Sequence, residues 1–140
     1  MPRTYLDTGV LISAFKGTES TSEAAMAIIA DEERTFVVSD VLALECVAEP
    51  RRMRFEEQAQ FCESFIAGSE RVSVTDAVTG WAIGIYSRHS IQLVDLLHMA
   101  VAVHAGAEEF VTTEASTKPF FTIGAPLNVV SIHEPEADNA

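Results

Sequence analysis

The stretch Arg3-Thr4-Tyr5-Leu6-Asp7-Thr8-Gly9-Val10-Leu11-Ile12 decides the fold. Residues 3–6 read as a short buried strand, and from residue 8 to 15 apolar side chains recur at helical spacing until Lys16-Gly17 stops them. Asp7 stands at the junction. An acid placed where a strand runs into a helix lies at the carboxyl edge of a sheet, which is where open α/β sheets put their ligands.

The alternation continues outward from this unit. Residues 18–22 offer caps for a second helix with Ala25, Ile28 and Ile29 on its apolar face. A second strand is expected over 36–38, and Ser39 or Asp40 caps a helix over 41–48 that Pro50 is expected to close. The next helix spans 54–67 with Phe55, Ala59, Cys62, Phe65 and Ile66 inward and Gly68 as its stop. A third strand over 71–74 precedes a helix that starts at Thr75 or Asp76 and carries Val78, Trp81, Ala82, Ile85 and Tyr86. The most apolar helix covers 95–105, and strands over 110–112 and 128–132 close the chain. Such alternation predicts an α/β fold with a mainly parallel sheet, right-handed crossovers and helices on both faces. One domain is expected over 1–133, followed by a loose polar tail over 134–140.

Composition narrows the function. At 140 residues and 48% hydrophobic the chain has the size of one domain. Nine basic against 21 acidic residues give a net charge of −12, which excludes a broad basic footprint for nucleic acid. An anionic substrate therefore needs a metal or a local basic patch. The two cysteines form no CxxC pair and have no histidine pair at zinc spacing, so a reduced, cytoplasmic setting is expected. Apolar runs are broken well short of the roughly 20 residues of a membrane helix.

Three more segments place an acid as Asp7 is placed: Glu45 in Val41-Leu42-Ala43-Leu44-Glu45, Asp95 in Val94-Asp95-Leu96-Leu97-His98-Met99-Ala100, and Glu114 in Phe110-Val111-Thr112-Thr113-Glu114. Singly, each has a plain structural reading. Asp7 and Asp95 could cap helices, and Glu45 and Glu114 could be solvated. Asp95, between Leu93-Val94 and Leu96-Leu97, is the hardest to dismiss, because an unpaired carboxylate near a core is costly. Four acids converging on one point need a cation, and hard divalent cations take oxygen ligands.

These four pieces, in this order across nearly the whole chain, resemble the PIN-domain ribonucleases, whose bacterial members include the VapC-type toxins of toxin–antitoxin pairs. The resemblance implies a PIN-like three-layer α/β/α sandwich in which Asp7, Glu45, Asp95 and Glu114 line one pocket that holds Mg2+ or Mn2+. It implies metal-dependent hydrolysis of RNA phosphodiester bonds, with Asp7 and Asp95 as direct ligands, Glu45 holding or activating water and Glu114 serving a second, weaker site. Thr8 and Thr112 then fix carboxylates or waters through their hydroxyls. A cognate antitoxin and a homodimer are the implied partners. The rival reading is a catalytically weak or inactive PIN-like protein-interaction module. Two positions depart from the family pattern: Glu114 where Asp is usual, and Gly9 where Asn or another polar residue is common.

His98, three residues beyond Asp95 and on a similar helical face, is expected to pack or to support the site rather than to bind metal. Arg51, Arg52 and Arg54 form the dense basic cluster, which either grips an RNA backbone or pairs with Glu49, Glu56 and Glu57. Arg88 and Lys118 are isolated alternatives. A receiver domain would need an early acidic pair, a central phosphoacceptor and a late lysine in set order. A haloacid-dehalogenase phosphatase would need Asp-x-Asp, where Gly9 stands.

Overall fold

The structure is a computed structural model that describes residues 2–133; the tail expected at 134–140 lies outside the described residues. Five strands, β1 (Arg3–Leu6), β2 (Thr35–Ser39), β3 (Glu70–Val72), β4 (Glu109–Thr112) and β5 (Asn128–Ser131), form one sheet in the order β3-β2-β1-β4-β5. Every neighbouring pair is parallel. The chain winds outward from β1 to one edge, then returns to β1's other side with β4. The crevice between β1 and β4 is therefore the topological switch point, and Asp7 and Glu114 follow those two strands.

The helices are α1 (Thr8–Lys16), α2 (Glu19–Ile29), α3 (Asp40–Ala43), α4 (Glu49–Arg52), α5 (Glu56–Ala67), α6 (Asp76–Tyr86) and α7 (Leu93–His104). A π-helical segment, Leu44–Ala48, joins α3 to α4, and a 3₁₀ turn, Pro119–Phe121, precedes β5. Alternation along the strands separates two cores. Leu6 and Val111 pack with Val10, Leu11, Ala25, Leu42, Cys46 and Cys62 on one face, whereas Tyr5 and Phe110 pack with Val78, Ala82, Leu96, Met99 and Phe120 on the other. The result is the three-layer α/β/α sandwich that the sequence implies.

Four local expectations change. Pro50 does not close its helix, which runs on to Arg52. The Glu49 N–H reaches back to the Leu44 carbonyl, five residues away, and this widening makes room for a proline that has no N–H and whose ring collides with the carbonyl four residues earlier in a regular helix. The helix expected from residue 54 starts at Glu56, because Arg54 adopts φ 65° in the left-handed region. Phe55 consequently stays half exposed at the N-cap, with the Lys16 ammonium 5.5 Å from its ring centre, instead of pointing inward. Tyr86 likewise faces out, at 54% exposure.

Phe110 is the hinge between sheet and helices. It is fully buried, stacks on Tyr5 with ring centres 5.6 Å apart and 5° between planes, and meets Phe120 at 4.9 Å. Phe110→Ala should cost about 3–5 kcal/mol in urea unfolding, the range for a buried phenylalanine. A loss under about 1 kcal/mol would mean that the aromatic stack is not core.

Candidate active site

Each acid reaches the sheet edge by a different local device. Asp7 is the N-cap of α1, where its Oδ1 accepts the Thr8 N–H at 2.8 Å. Its backbone N–H donates to the Val111 carbonyl at 2.9 Å, so β4 fixes the turn. Its Oδ2 accepts the Thr112 hydroxyl at 3.2 Å. Asp95 sits in the first turn of α7 but does not cap it; Gln92 holds the cap position and its side chain makes no capping bond. Glu114 follows β4, with its backbone N–H on the Thr112 hydroxyl at 3.1 Å. Glu45 lies in the π-helical segment, so the irregular winding around Pro50 also sets where this acid points.

Glu45 is the most tightly held. Its Oε1 accepts the Thr8 hydroxyl at 2.8 Å and meets the His98 Nε2. His98 is fully buried, its Nδ1 lies 2.6 Å from the Tyr5 hydroxyl, and that hydroxyl lies 2.8 Å from Ser39 Oγ. Ser39 in turn caps α3, accepting the Leu42 N–H at 3.4 Å. The cap at the start of the helix and the acid further along it are thus tied together through Tyr5 and His98. Burial pushes the Tyr5 phenol far above its usual range, so it stays protonated as a donor. The sequence reading gave His98 a supporting place but missed Tyr5 and Ser39. The available signal was a tyrosine in a buried strand, whose hydroxyl must find a partner.

The charges interact strongly. Burial pushes the Asp95 carboxyl up to about 6, reinforced by repulsion from Asp7, Glu114 and Glu45. Burial likewise raises Asp7, with His98 and the Thr112 and Thr8 hydrogen bonds opposing it and Glu45 adding to it. Glu45 moves the other way, lowered chiefly by its hydrogen bond from His98. The fold therefore brings all four acids into one electrostatic neighbourhood. Among the described residues, however, no three His, Cys, Asp or Glu side chains stand arranged to hold a metal ion as placed. The donor set itself is carboxylate oxygen throughout, and its uncompensated repulsion is what a hard divalent cation relieves, so the residues fit such an ion in chemistry.

Asp95 and Glu114 also line a cavity of about 240 Å³ with Ser90, Ile91, Gln92, Lys118, Pro119 and Phe120. The basic cluster lies elsewhere. Arg51 and Arg52 line a separate groove with Leu44, Val47 and Ile66, and Arg54 lines a third cleft with Phe15, Lys16 and Phe55. Arg51 is paired with Glu56 at 3.0 Å and Glu63 at 3.2 Å, and Arg52 reaches Glu49 only at 3.9 Å. Gly9 has a steric reason: a Cβ there would stand 2.5 Å from Thr113 Oγ1, so any side chain at this position forces Thr113 to turn away.

Comparison with known structures gives matches over most of the chain. VapBC2 from Rickettsia felis, bound to a DNA fragment of its promoter, superposes with a TM-score of 0.68 at 18% identity, covering 92% of this chain and 98% of that one. A toxin–antitoxin complex from Klebsiella pneumoniae gives 0.68 at 19%, covering 94% and 98%. VapC20 from Mycobacterium tuberculosis, a toxin that cleaves the sarcin–ricin loop, gives 0.63 at 16%, covering 76% and 86%. At these identities the likeness concerns the fold. No curated protein sequence matches the chain. The family model described as PIN domain matches residues 4–116, from β1 to just beyond Glu114, and the chain belongs to the PIN-domain family.

Proposed function

We propose that the protein is a metal-dependent endoribonuclease of PIN type and the toxin of a toxin–antitoxin pair. The observation that carries this reading is the electrostatic coupling of Asp95 to Asp7, Glu114 and Glu45, whose negative charges add to burial in opposing its ionisation. Asp7 and Asp95 would hold Mg2+ or Mn2+, with Glu114 beside a second, weaker position. The cation, when bound, supplies positive charge for the phosphate and the departing 3′ oxygen.

The chain's own residues do the rest. The Thr112 hydroxyl and Thr8 N–H fix both oxygens of Asp7. Thr8 and His98 engage one oxygen of Glu45, and Oε2 has no hydrogen-bond partner among the described residues. Its lowered pKa keeps Glu45 ionised, which suits it to orient the attacking water by accepting a hydrogen bond more than to take its proton. Water adds at phosphorus and gives up a proton to solvent, the bond to the 3′ oxygen breaks, and that oxygen takes up a proton from solvent, leaving a 5′-phosphate and a 3′-hydroxyl. Arg54, exposed and without an ion pair among the described residues, is open to an RNA backbone; Arg51 is occupied by two glutamates and Arg52 reaches Glu49 at 3.9 Å.

Toxin–antitoxin complexes of the same fold support an antitoxin as partner. An exposed apolar face of Ile83, Tyr86 and Leu93 supports a second copy as another. No helix of the described residues is long and apolar enough to cross a membrane. The rival interaction-module reading draws on the net charge of −12 and on side chains not yet set to hold an ion.

Single-stranded RNA incubated with the protein and Mg2+ or Mn2+ should be cut, and chelation should stop it. Asp95→Asn should fold normally by circular dichroism and cut below detection, while Thr112→Val, which frees Asp7, should lose roughly 10- to 100-fold. Full cutting by a folded Asp95→Asn protein would remove the metal mechanism, and no cutting by the unaltered protein would favour the interaction module.

The raised acids also set a pH dependence. Folded Asp95 binds its proton more tightly than in the unfolded chain, as does Asp7, so they cost stability as pH rises. Metal-free protein should therefore lose stability between about pH 4 and pH 6. Glu45, lowered, has the opposite sign and loses its contribution only as pH falls below the ordinary glutamate range. Thermal melts across pH should show this decline, flattened by Asp95→Asn; a melting temperature that rises from pH 5 to 6 without metal would contradict the repulsion.

A further inference from the structure

The cavity lined by Asp95 and Glu114 contains one basic side chain. Of the nine lysines and arginines, Arg3, Arg34, Arg51, Arg52 and Arg71 face carboxylates, and Lys16 lies over Phe55. Arg54, Arg88 and Lys118 make no ion pair among the described residues. Lys118 alone of these lines the cavity that holds Asp95 and Glu114, and it pairs with neither.

Its place is fixed by the fold. Lys118 opens the 3₁₀ turn Pro119–Phe121, its N–H bonds the Ala115 carbonyl at 2.9 Å, and Phe121 N–H bonds the Lys118 carbonyl at 3.0 Å. The turn is anchored by Phe120, buried against Phe110. The opposite wall is the entry to α7, where the Ser90 and Gln92 side chains are exposed and make no hydrogen bond among the described residues. Ile91, Pro119 and Phe120 supply apolar lining.

An exposed ammonium, an amide and a hydroxyl around a small cavity of mixed polar and apolar lining are the groups that recognise a phosphate and a base together. The volume of about 240 Å³ lies below the roughly 300–1,000 Å³ of pockets for drug-sized ligands, so it suits a single unstacked base. We propose that this cavity is a nucleotide subsite. It receives the nucleotide next to the phosphodiester held over the acids, with Lys118 on its phosphate and Ser90 and Gln92 against the polar edge of its base. Only a single strand can present a base in this way. The proposal rests on the nuclease reading for its place in the reaction, but binding itself can be tested apart from cleavage.

The probe is each of the four nucleoside 5′-monophosphates, with inorganic phosphate as control, titrated into the full chain with and without Mg2+ and followed by amide NMR shifts. The nucleotides should move Ser90, Gln92, Lys118 and Phe120, and phosphate alone should move Lys118 but leave Ser90 and Gln92 in place. Lys118→Met should weaken nucleotide binding about tenfold or more, the loss expected from one charged hydrogen bond, and Lys118→Arg should retain it. In cleavage of a single-stranded RNA panel, Lys118→Met should raise KM by about the same factor with a smaller change in kcat, and Gln92→Ala should alter which base is preferred beside the cut. Nucleotides that leave all four residues unmoved, or Lys118→Met protein that cuts with unchanged KM and base preference, would overturn the subsite while leaving the nuclease reading intact. Nucleotides that bind at Lys118 in a protein that cuts no RNA would uphold the subsite and sink the nuclease reading.

Discussion

Four carboxylates crowded at one edge of a parallel sheet repel one another, and the site is organised around containing that repulsion. The containment is uneven. Asp7 has both oxygens in hydrogen bonds and stands at the N-terminus of α1, where the helix dipole favours negative charge. Glu45 has the Thr8 hydroxyl and a buried histidine. Neither Asp95 nor Glu114 has a side-chain hydrogen bond among the described residues. Burial and the neighbouring charges, uncompensated by any such bond, push the Asp95 carboxyl up to about 6.

The supporting groups come from elements far apart in sequence, which explains what could be read in advance. Asp7 was legible because strand, cap and helix follow one another within ten residues, and the cap chemistry is local. The sheet was legible because β-α alternation fixes handedness and face. The convergence of Asp95 and Glu114 with Asp7 depends on β4 inserting beside β1, which no local pattern announces; the family resemblance supplied it. The link from Ser39 through Tyr5 and His98 to Glu45 joins residues up to 93 positions apart and could only come from coordinates.

One local rule misled for a physical reason. Proline was expected to end a helix, yet at Pro50 the chain widens by one residue into a π turn, and that widening falls on the segment that carries Glu45. Glycine at position 9, where the family commonly has a polar residue, leaves room for the Thr113 hydroxyl, which a Cβ there would meet at 2.5 Å. From sequence spacing alone the arginine cluster reads equally as an RNA grip or as partners of Glu49, Glu56 and Glu57. In the fold, Arg51 is spent on Glu56 and Glu63, and the cluster does not share the cavity of Asp95. Charge counts along a chain do not say which charges remain open.

The central claim is that this acid cluster is a divalent-cation site. A crystal soaked in Mn2+ and measured for anomalous scattering tests it most directly. The account predicts an anomalous peak between the Asp7 and Asp95 carboxylates, with Glu45 still joined to His98. No peak at the cluster in saturating Mn2+, or a peak only at other carboxylates on the surface, would contradict it.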